Sequence, residues 1–319
     1  MWIILSIVVV AVIALGGAIA FGTGTAPPPM RSLSDPFRNS DFTKLPAPST
    51  LAARDGVNLT YRYYPTAAAP ERVVILIHGS TASSVSMHPL AAALNAAKMA
   101  GYTLDIRGHG DSGQRGVIGY PTQLDDDLAD VIKMARTTNP ATPLVLAGFS
   151  AGGGFSLHSA GTSLGKQFER IVLLSPMLGY RAPTTKQEGS ADLVTPFIPR
   201  IIALTILNKF GVHAFDHLQT LAFGDFQRKE LTPSYSFGLM KGFATSDYAN
   251  DVRTSGAPLA VVIGANDEFF DANAYAPTLD ALRPGIPVTI VPGLTHIGLI
   301  TDETAVPAIL TAVRGDKSK

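Results

Sequence analysis

The chain has 319 residues, enough for one large α/β domain with a full core and an extension or two, and 25 basic against 25 acidic residues give a formal net charge of zero. No basic block stands ready to neutralise a run of phosphates, so nucleic acid is excluded as an expected partner. Cysteine is absent, which removes disulfides, thiolate nucleophiles and cysteine-ligated metals. There is also no Walker loop, no dinucleotide fingerprint after the first strand and no His-Glu-x-x-His helix, so neither cofactor nor metal is expected.

From Met1 to Met30 no side chain is charged, and Trp2 to Phe21 reads WIILSIVVVAVIALGGAIAF. That length and apolarity predict a bilayer-spanning helix, with residues 1–22 as a single-pass membrane anchor. A cleaved signal peptide is the alternative, because Ala18-Ile19-Ala20 resembles a cleavage site, although a basic n-region is lacking. Orientation stays open: Arg31, Arg38 and Lys44 lean towards a cytoplasmic domain, whereas a signal-anchor would export it. Residues 23–50, with "APPP" and "LPAP", hold no sustained period and read as a Pro/Ser-rich tether.

Residues 51–319 alternate short β-rich runs with helical stretches. "STLAARDGVNLTYRYYP" predicts an edge hairpin turning at Asp55-Gly56. "RVVILIHG", "AGYTLDIRG", "PLVLAGF", "RIVLLSP", "PLAVVIG" and "VTIVPG" follow, separated by amphipathic segments such as "PTQLDDDLADVIKMA". Several are continuous apolar runs, which suit parallel strands buried on both faces between helices. In an open parallel sheet, functional groups gather beyond the carboxyl ends of the strands. Those ends carry His78-Gly79, "DIRGHGDS" (Asp105 to Ser112), Ser150, Asp267 and His296.

Gly148, Ser150 and Gly152 satisfy Gly-x-Ser-x-Gly, the pattern of a serine strained at a strand-to-helix turn. Hydrolysis through a hydroxyl needs an imidazole to carry its proton and a carboxylate to hold that imidazole. The order Ser, Asp, His suits strand ends of this architecture, and His296 alone of the seven histidines follows Asp267.

Over about residues 51 to 313 the chain resembles the α/β-hydrolase family, in its lysophospholipase and monoacylglycerol lipase group, often labelled serine aminopeptidase-like. "HGS", "DIRGHGDS", "GFSAGG", "GAND" and "GLTH" carry the resemblance, in the family's order. It implies a mostly parallel sheet flanked by helices, with Ser150 as nucleophile, Asp267 as acid and His296 as base. It also implies an oxyanion hole made by the backbone N–H groups of Ser80 and Ala151. "GANDEFFDANAY" lacks the proline many relatives carry after the acid, which keeps Asp271 in view as a second candidate. His109, Asp105 and Arg107 read as a structural turn, His78 as a shaper of the oxyanion loop, and Asp125 to Asp127 as a solvated helix start.

Residues 177–256 form an insertion where the core fold needs only a short crossover, read as a helical cap. "TPFIPRIIALTILNKFGVHAF" within it is apolar almost throughout, followed by Phe223, Phe226, Tyr235, Phe237, Phe243 and Tyr248. Such a cap needs its own core and still offers an apolar face to a substrate. The expectation is a membrane-tethered serine hydrolase acting, through an acyl-enzyme, on a small-molecule or lipid ester of the lysophospholipid or monoacylglycerol class. A short-chain esterase, an aminopeptidase and an acyltransferase would use the same residues. A non-catalytic binding protein of this fold would usually have lost a triad member, and all three are present.

Overall fold

The structure, a computed structural model, describes residues 2–21, 25–28, 34–186, 193–224 and 231–315. Gly22 at the end of the expected anchor, residues 23–24 and 29–33 of the expected tether, Arg31 among them, and Phe226 of the insertion lie outside the described residues. The expected hairpin is present. Strands β1 (Ser49–Ala52) and β2 (Asn58–Tyr64) pair antiparallel, Ala52 opposite Asn58, around Gly56 with its φ of 84°.

The apolar runs form β3 (Arg72–Ile77), β4 (Met99–Leu104), β5 (Leu144–Phe149) and β6 (Arg170–Leu174). The insertion holds β7 (Val194–Pro196), β8 (Gln219–Phe223) and β9 (Ser234–Ser236), and β10 (Leu259–Gly264) and β11 (Val288–Val291) follow it. Among the described residues, an eight-stranded sheet runs β1-β2-β4-β3-β5-β6-β10-β11, parallel from β4 onward. Alternate residues of each strand enter opposite faces. Val73, Ile75 and Ile77 join one core, Val74 and Leu76 the other.

Helix α1 spans Trp2–Phe21, α2 His88–Ala96, α3 Gln123–Thr138 and α4 Ala151–Gly161. They are followed by α5 (Ile198–Lys209), α6 (Phe237–Gly242), α7 (Tyr248–Thr254), α8 (Tyr275–Asp280), α9 (Gly298–Thr301) and α10 (Val306–Arg314). Leu124, Leu128, Val131 and Ala135 of α3 show the helical period, and with Phe155 of α4, Val252 of α7 and Leu279 of α8 they cover one face of the sheet. Leu90 and Leu94 of α2, Leu299 of α9 and Ile309 of α10 cover the other. Strand β4 lies on one side of β3 and β5 on the other, so the chain reverses its direction across the sheet at β3, and the loops after β3 and β5 open on the same edge.

Two expectations for the N-terminal segments are corrected. Among the described residues, no helix is long and apolar enough to cross a membrane, which overturns the single-pass anchor. Helix α1 instead lies against α5 of the insertion, where the buried Arg200 guanidinium donates from Nε to the Ile19 carbonyl oxygen at 2.9 Å and from Nη1 to the Gln219 carbonyl oxygen at 2.7 Å. A guanidinium bonded to the helix backbone ties that helix to the protein, an arrangement that hydrocarbon would penalise. The segment read as a Pro/Ser-rich tether packs on the protein from Asp35 onward. Phe37 packs on the core, His88 Nε2 donates to the Asp41 carbonyl oxygen at 2.9 Å, and Arg62 donates to the Pro46 carbonyl oxygen. The insertion is also not purely helical, since β7, β8 and β9 form a three-stranded antiparallel sheet. Runs of three to five residues are too short for a period of two to register in the sequence.

Arg107 anchors the hairpin to α3. Its side chain is 5% exposed and meets the Asp127 carboxylate at 2.6 Å and the Asp55 carboxylate at 2.9 Å. Burial alone would lower its pKa, and the two carboxylates outweigh that. Arg107→Ala is expected to strand a buried carboxylate and cost about 3–5 kcal/mol. Asp126→Asn, in an exposed pair with Arg54, is expected to cost less than about 1 kcal/mol. Urea midpoints at constant slope separate the two.

Candidate active site

Ser150 ends β5 and starts α4 with φ 55° and ψ −118°, a conformation that strains any residue with a β-carbon. Its surroundings hold it there. The Ser150 N–H donates to the Leu174 carbonyl oxygen at 2.9 Å, and its own carbonyl oxygen accepts from the Gly154 and Met177 N–H groups at 3.1 and 3.0 Å. The flanking glycines are required by close approach. A β-carbon at Gly148 would lie 2.1 Å from the Gly152 carbonyl oxygen, and one at Gly152 would lie 2.3 Å from the His78 carbonyl oxygen. The end of β3, the end of β5 and the first turn of α4 therefore touch backbone to backbone, and the N-terminus of an 11-residue helix begins at the serine.

Asp267 lies three residues past β10, its side chain fully enclosed. One carboxylate oxygen accepts the Phe269 and Phe270 N–H groups, each at 2.9 Å, and the other lies 2.7 Å from His296 Nδ1. Burial would raise this carboxyl, but the His296 imidazole and the N–H donors outweigh it and hold the group below the ordinary carboxylate range. A carboxylate facing Nδ1 places the proton there and leaves Nε2 as the acceptor.

His296 sits in the loop between β11 and α9, 3% exposed. Its ring packs against Phe149 at 4.6 Å between centroids, against Phe269 at 5.0 Å and against Phe270 at 5.3 Å. Phe149 directly precedes Ser150, so the stack joins the imidazole to the strand end that carries the strained serine. The His296 N–H donates to the Glu268 carboxylate at 2.9 Å.

Ser80 and Ala151 lie at the facing ends of β3 and β5. Among the described residues, neither of their N–H groups donates to a backbone carbonyl oxygen. The loop carrying Ser80 is fastened by His78, whose Nδ1 donates to the Gly79 carbonyl oxygen at 2.7 Å while Nε2 accepts the Ile106 N–H at 3.2 Å. Asp105 accepts from the Ser84 and Asp111 N–H groups. His78 and Asp105 thus fasten the loop, and His109 is held in the core by Ile106, Tyr235, His78 and Phe243.

Of the two carboxylates left open in the sequence, the structure brings Asp267 to His296. Asp271 instead caps a short turn by accepting the Asn273 N–H at 3.0 Å. Asp125, Asp126 and Asp127 diverge to His158, Arg54 and Arg107, and no cluster of metal-ligating side chains occurs among the described residues. Sequence reasoning missed Glu268 and Lys186, whose Nζ donates to the Asp267 carbonyl oxygen at 2.6 Å, and read Tyr235 only as one of the insertion's aromatic residues. Adjacency to Asp267 was a signal for Glu268. The other two had none, because the insertion delivers them.

A family described as serine aminopeptidase, S33, matches residues 68–303. The chain is 29% identical over 128 residues to the monoacylglycerol lipase of Mycolicibacterium smegmatis (strain ATCC 700084 / mc(2)155); the match spans 40% of this chain and 45% of that lipase, a little under half its length. In structure the chain is similar to a soluble variant of monoglyceride lipase from Saccharomyces cerevisiae in complex with a substrate analogue. The TM-score is 0.66 at 17% identity, over 92% of this chain and 99% of that one. It is also similar to bromoperoxidase from Bacillus anthracis, with a TM-score of 0.60 at 19% identity over 84% and 100% of the two chains. At these identities the likeness shows the fold, the mostly parallel α/β-hydrolase sheet flanked by helices.

The backbone contacts at the elbow make one expectation independent of chemistry. Gly152→Ala drives a methyl group into the Ile77 and His78 carbonyl oxygens and should destabilise the protein by about 3 kcal/mol, at the upper end for overpacking. Thermal unfolding of the variant checks it.

Proposed function

Because the chain belongs to the serine aminopeptidase, S33, family, we propose that it is a serine hydrolase that cleaves carboxylic esters of apolar acyl groups, in the monoacylglycerol or lysophospholipid class. The observation that carries this reading is the strained Ser150 at the head of α4 with the enclosed Asp267–His296 pair stacked against its neighbour Phe149. Ser150 Oγ attacks the ester carbonyl carbon while His296 Nε2 takes its proton. The tetrahedral oxyanion is held by the Ser80 and Ala151 N–H groups, and the His296 proton leaves with the alcohol as the acyl-enzyme forms. Water repeats the sequence, its proton passing to His296 and then to Ser150 as the carboxylic acid departs. Asp267 stays ionised throughout, in keeping with its depressed pKa, and stabilises the imidazolium. Each oxyanion donor contributes on the order of 3 kcal/mol to such a transition state.

The ester class rests on the Mycolicibacterium relative and on the apolar insertion above the sheet edge. An apolar acyl site should gain up to about 0.8 kcal/mol, or about fourfold in kcat/KM, for each methylene buried until it is full. Esters of two to sixteen carbons, assayed below their micelle concentrations, should therefore rise from acetyl to a medium or long chain. A maximum at acetyl with a steady fall would leave a short-chain esterase.

Ser150→Ala should abolish both fluorophosphonate labelling and ester turnover with the fold intact; undiminished labelling would exclude Ser150 as nucleophile. Asp267→Asn should lower kcat by about 10⁴, the loss seen when a triad carboxylate is neutralised in a serine protease. Asp271→Asn should change kcat by less than about threefold if its carboxylate only caps a turn. Steady-state kinetics on one soluble ester compares the two, and a reversed order would exchange their roles.

A further inference from the structure

Thr81, one residue beyond the proposed oxyanion donor Ser80, is held at φ 63°, a conformation that a β-branched residue adopts only under constraint. Both constraints come from the insertion. The Thr81 N–H donates to the Tyr235 hydroxyl oxygen at 2.7 Å, and the Thr81 carbonyl oxygen accepts the Thr232 N–H at 2.8 Å. The orientation of the phenol is set in turn. His109 Nδ1 donates to the Ile106 carbonyl oxygen at 3.2 Å, so Nε2 is an acceptor, and it lies 2.6 Å from the Tyr235 hydroxyl. Burial keeps both groups neutral, pushing the imidazole down and the phenol up. The single O–H of Tyr235 is thereby directed to His109, and its oxygen is left to receive the Thr81 N–H. Phe223 at 4.7 Å and His109 at 5.1 Å hold the phenol ring edge-on.

We infer that Tyr235 is a positioning residue for the chemical step: its phenol, supplied by the insertion, clamps Thr81 in the left-handed conformation and so aims the Ser80 N–H at the developing oxyanion. The inference rests on the serine-hydrolase reading. The clamp fixes the peptide between Ser80 and Thr81, one peptide along from the donor. Without it Thr81 relaxes towards negative φ and the Ser80 N–H turns away. Because the oxyanion exists only in the transition state and intermediate, the loss falls on kcat and not on KM.

The test is steady-state turnover of a short, soluble p-nitrophenyl ester by the full chain, normalised to sites titrated with a fluorophosphonate. Tyr235→Phe should lower kcat about 10- to 100-fold, short of or near the loss from deleting an oxyanion donor outright, with KM within about twofold. Glycine adopts positive φ without strain, so in a Thr81→Gly background the same substitution should cost less than about threefold. Unchanged kcat per titrated site in Tyr235→Phe, with only a lowered melting temperature, would overturn the inference. So would an undiminished cost of Tyr235→Phe in the Thr81→Gly background. If Tyr235→Phe alone does not fold, the comparison is between Thr81→Gly and the double variant: kcat values within about threefold support the clamp, and a larger difference overturns it. An inactive wild-type chain, or labelling that survives Ser150→Ala, would instead fail the serine-hydrolase reading itself.

Discussion

Residue 152 faces the carbonyl oxygens of Ile77 and His78 at distances no β-carbon tolerates, and residue 148 faces the carbonyl oxygen of residue 152 in the same way. This backbone contact between two adjacent parallel strands and the first turn of α4 is the constraint on which the candidate site depends. It leaves Ser150 nowhere to go except the strained conformation it adopts, at a cost of order 1–3 kcal/mol. The hydrogen bond Ser150 donates to Leu174 and those it accepts from Gly154 and Met177 offset that cost, and they draw on β6, α4 and the chain beyond β6. The strain is thus supported by the sheet as a whole.

Around the elbow the protein encloses several polar side chains. His78, His109, Asp105, Asp267 and His296 are all buried, and each has named partners. An unpartnered polar group there would cost as much as a lost hydrogen bond or more, whereas a satisfied network rigidifies the loops it joins. Direction matters within it. His78 and His109 each donate from Nδ1 to a carbonyl oxygen, which leaves each Nε2 as an acceptor, for Ile106 in one case and Tyr235 in the other. These two histidines are neutral scaffolding, whereas His296 turns its Nδ1 to the Asp267 carboxylate instead of a carbonyl oxygen.

The insertion is more than a cover. It sends Tyr235 and Thr232 down to the loop after β3, and through Arg200 it receives the N-terminal helix on its outer side. Insertion, the loop after β3 and α1 are therefore mechanically continuous, although Thr81 and Tyr235 are separated by 154 residues in sequence.

The eight strands of the main sheet, the elbow and the order Ser, Asp, His were legible in the sequence because each depends on local pattern. A buried parallel strand is a short apolar run, an elbow needs small residues beside its serine, and strand ends mark where chemistry collects. The resemblance named Asp267 as the acid and left Asp271 as a second candidate, and the turn after β10 is what aims Asp267 at His296 and Asp271 at Asn273. Trp2–Phe21 misled because apolarity reports what a helix avoids and not what it packs against, and the α5 surface and Arg200 that receive it lie some 180 residues away. The Tyr235 clamp had no sequence signal for the same reason. Its hydrogen bonds join segments that only the folded sheet brings together, and a phenol waiting for a distant N–H looks, in sequence, like any other aromatic residue of a core.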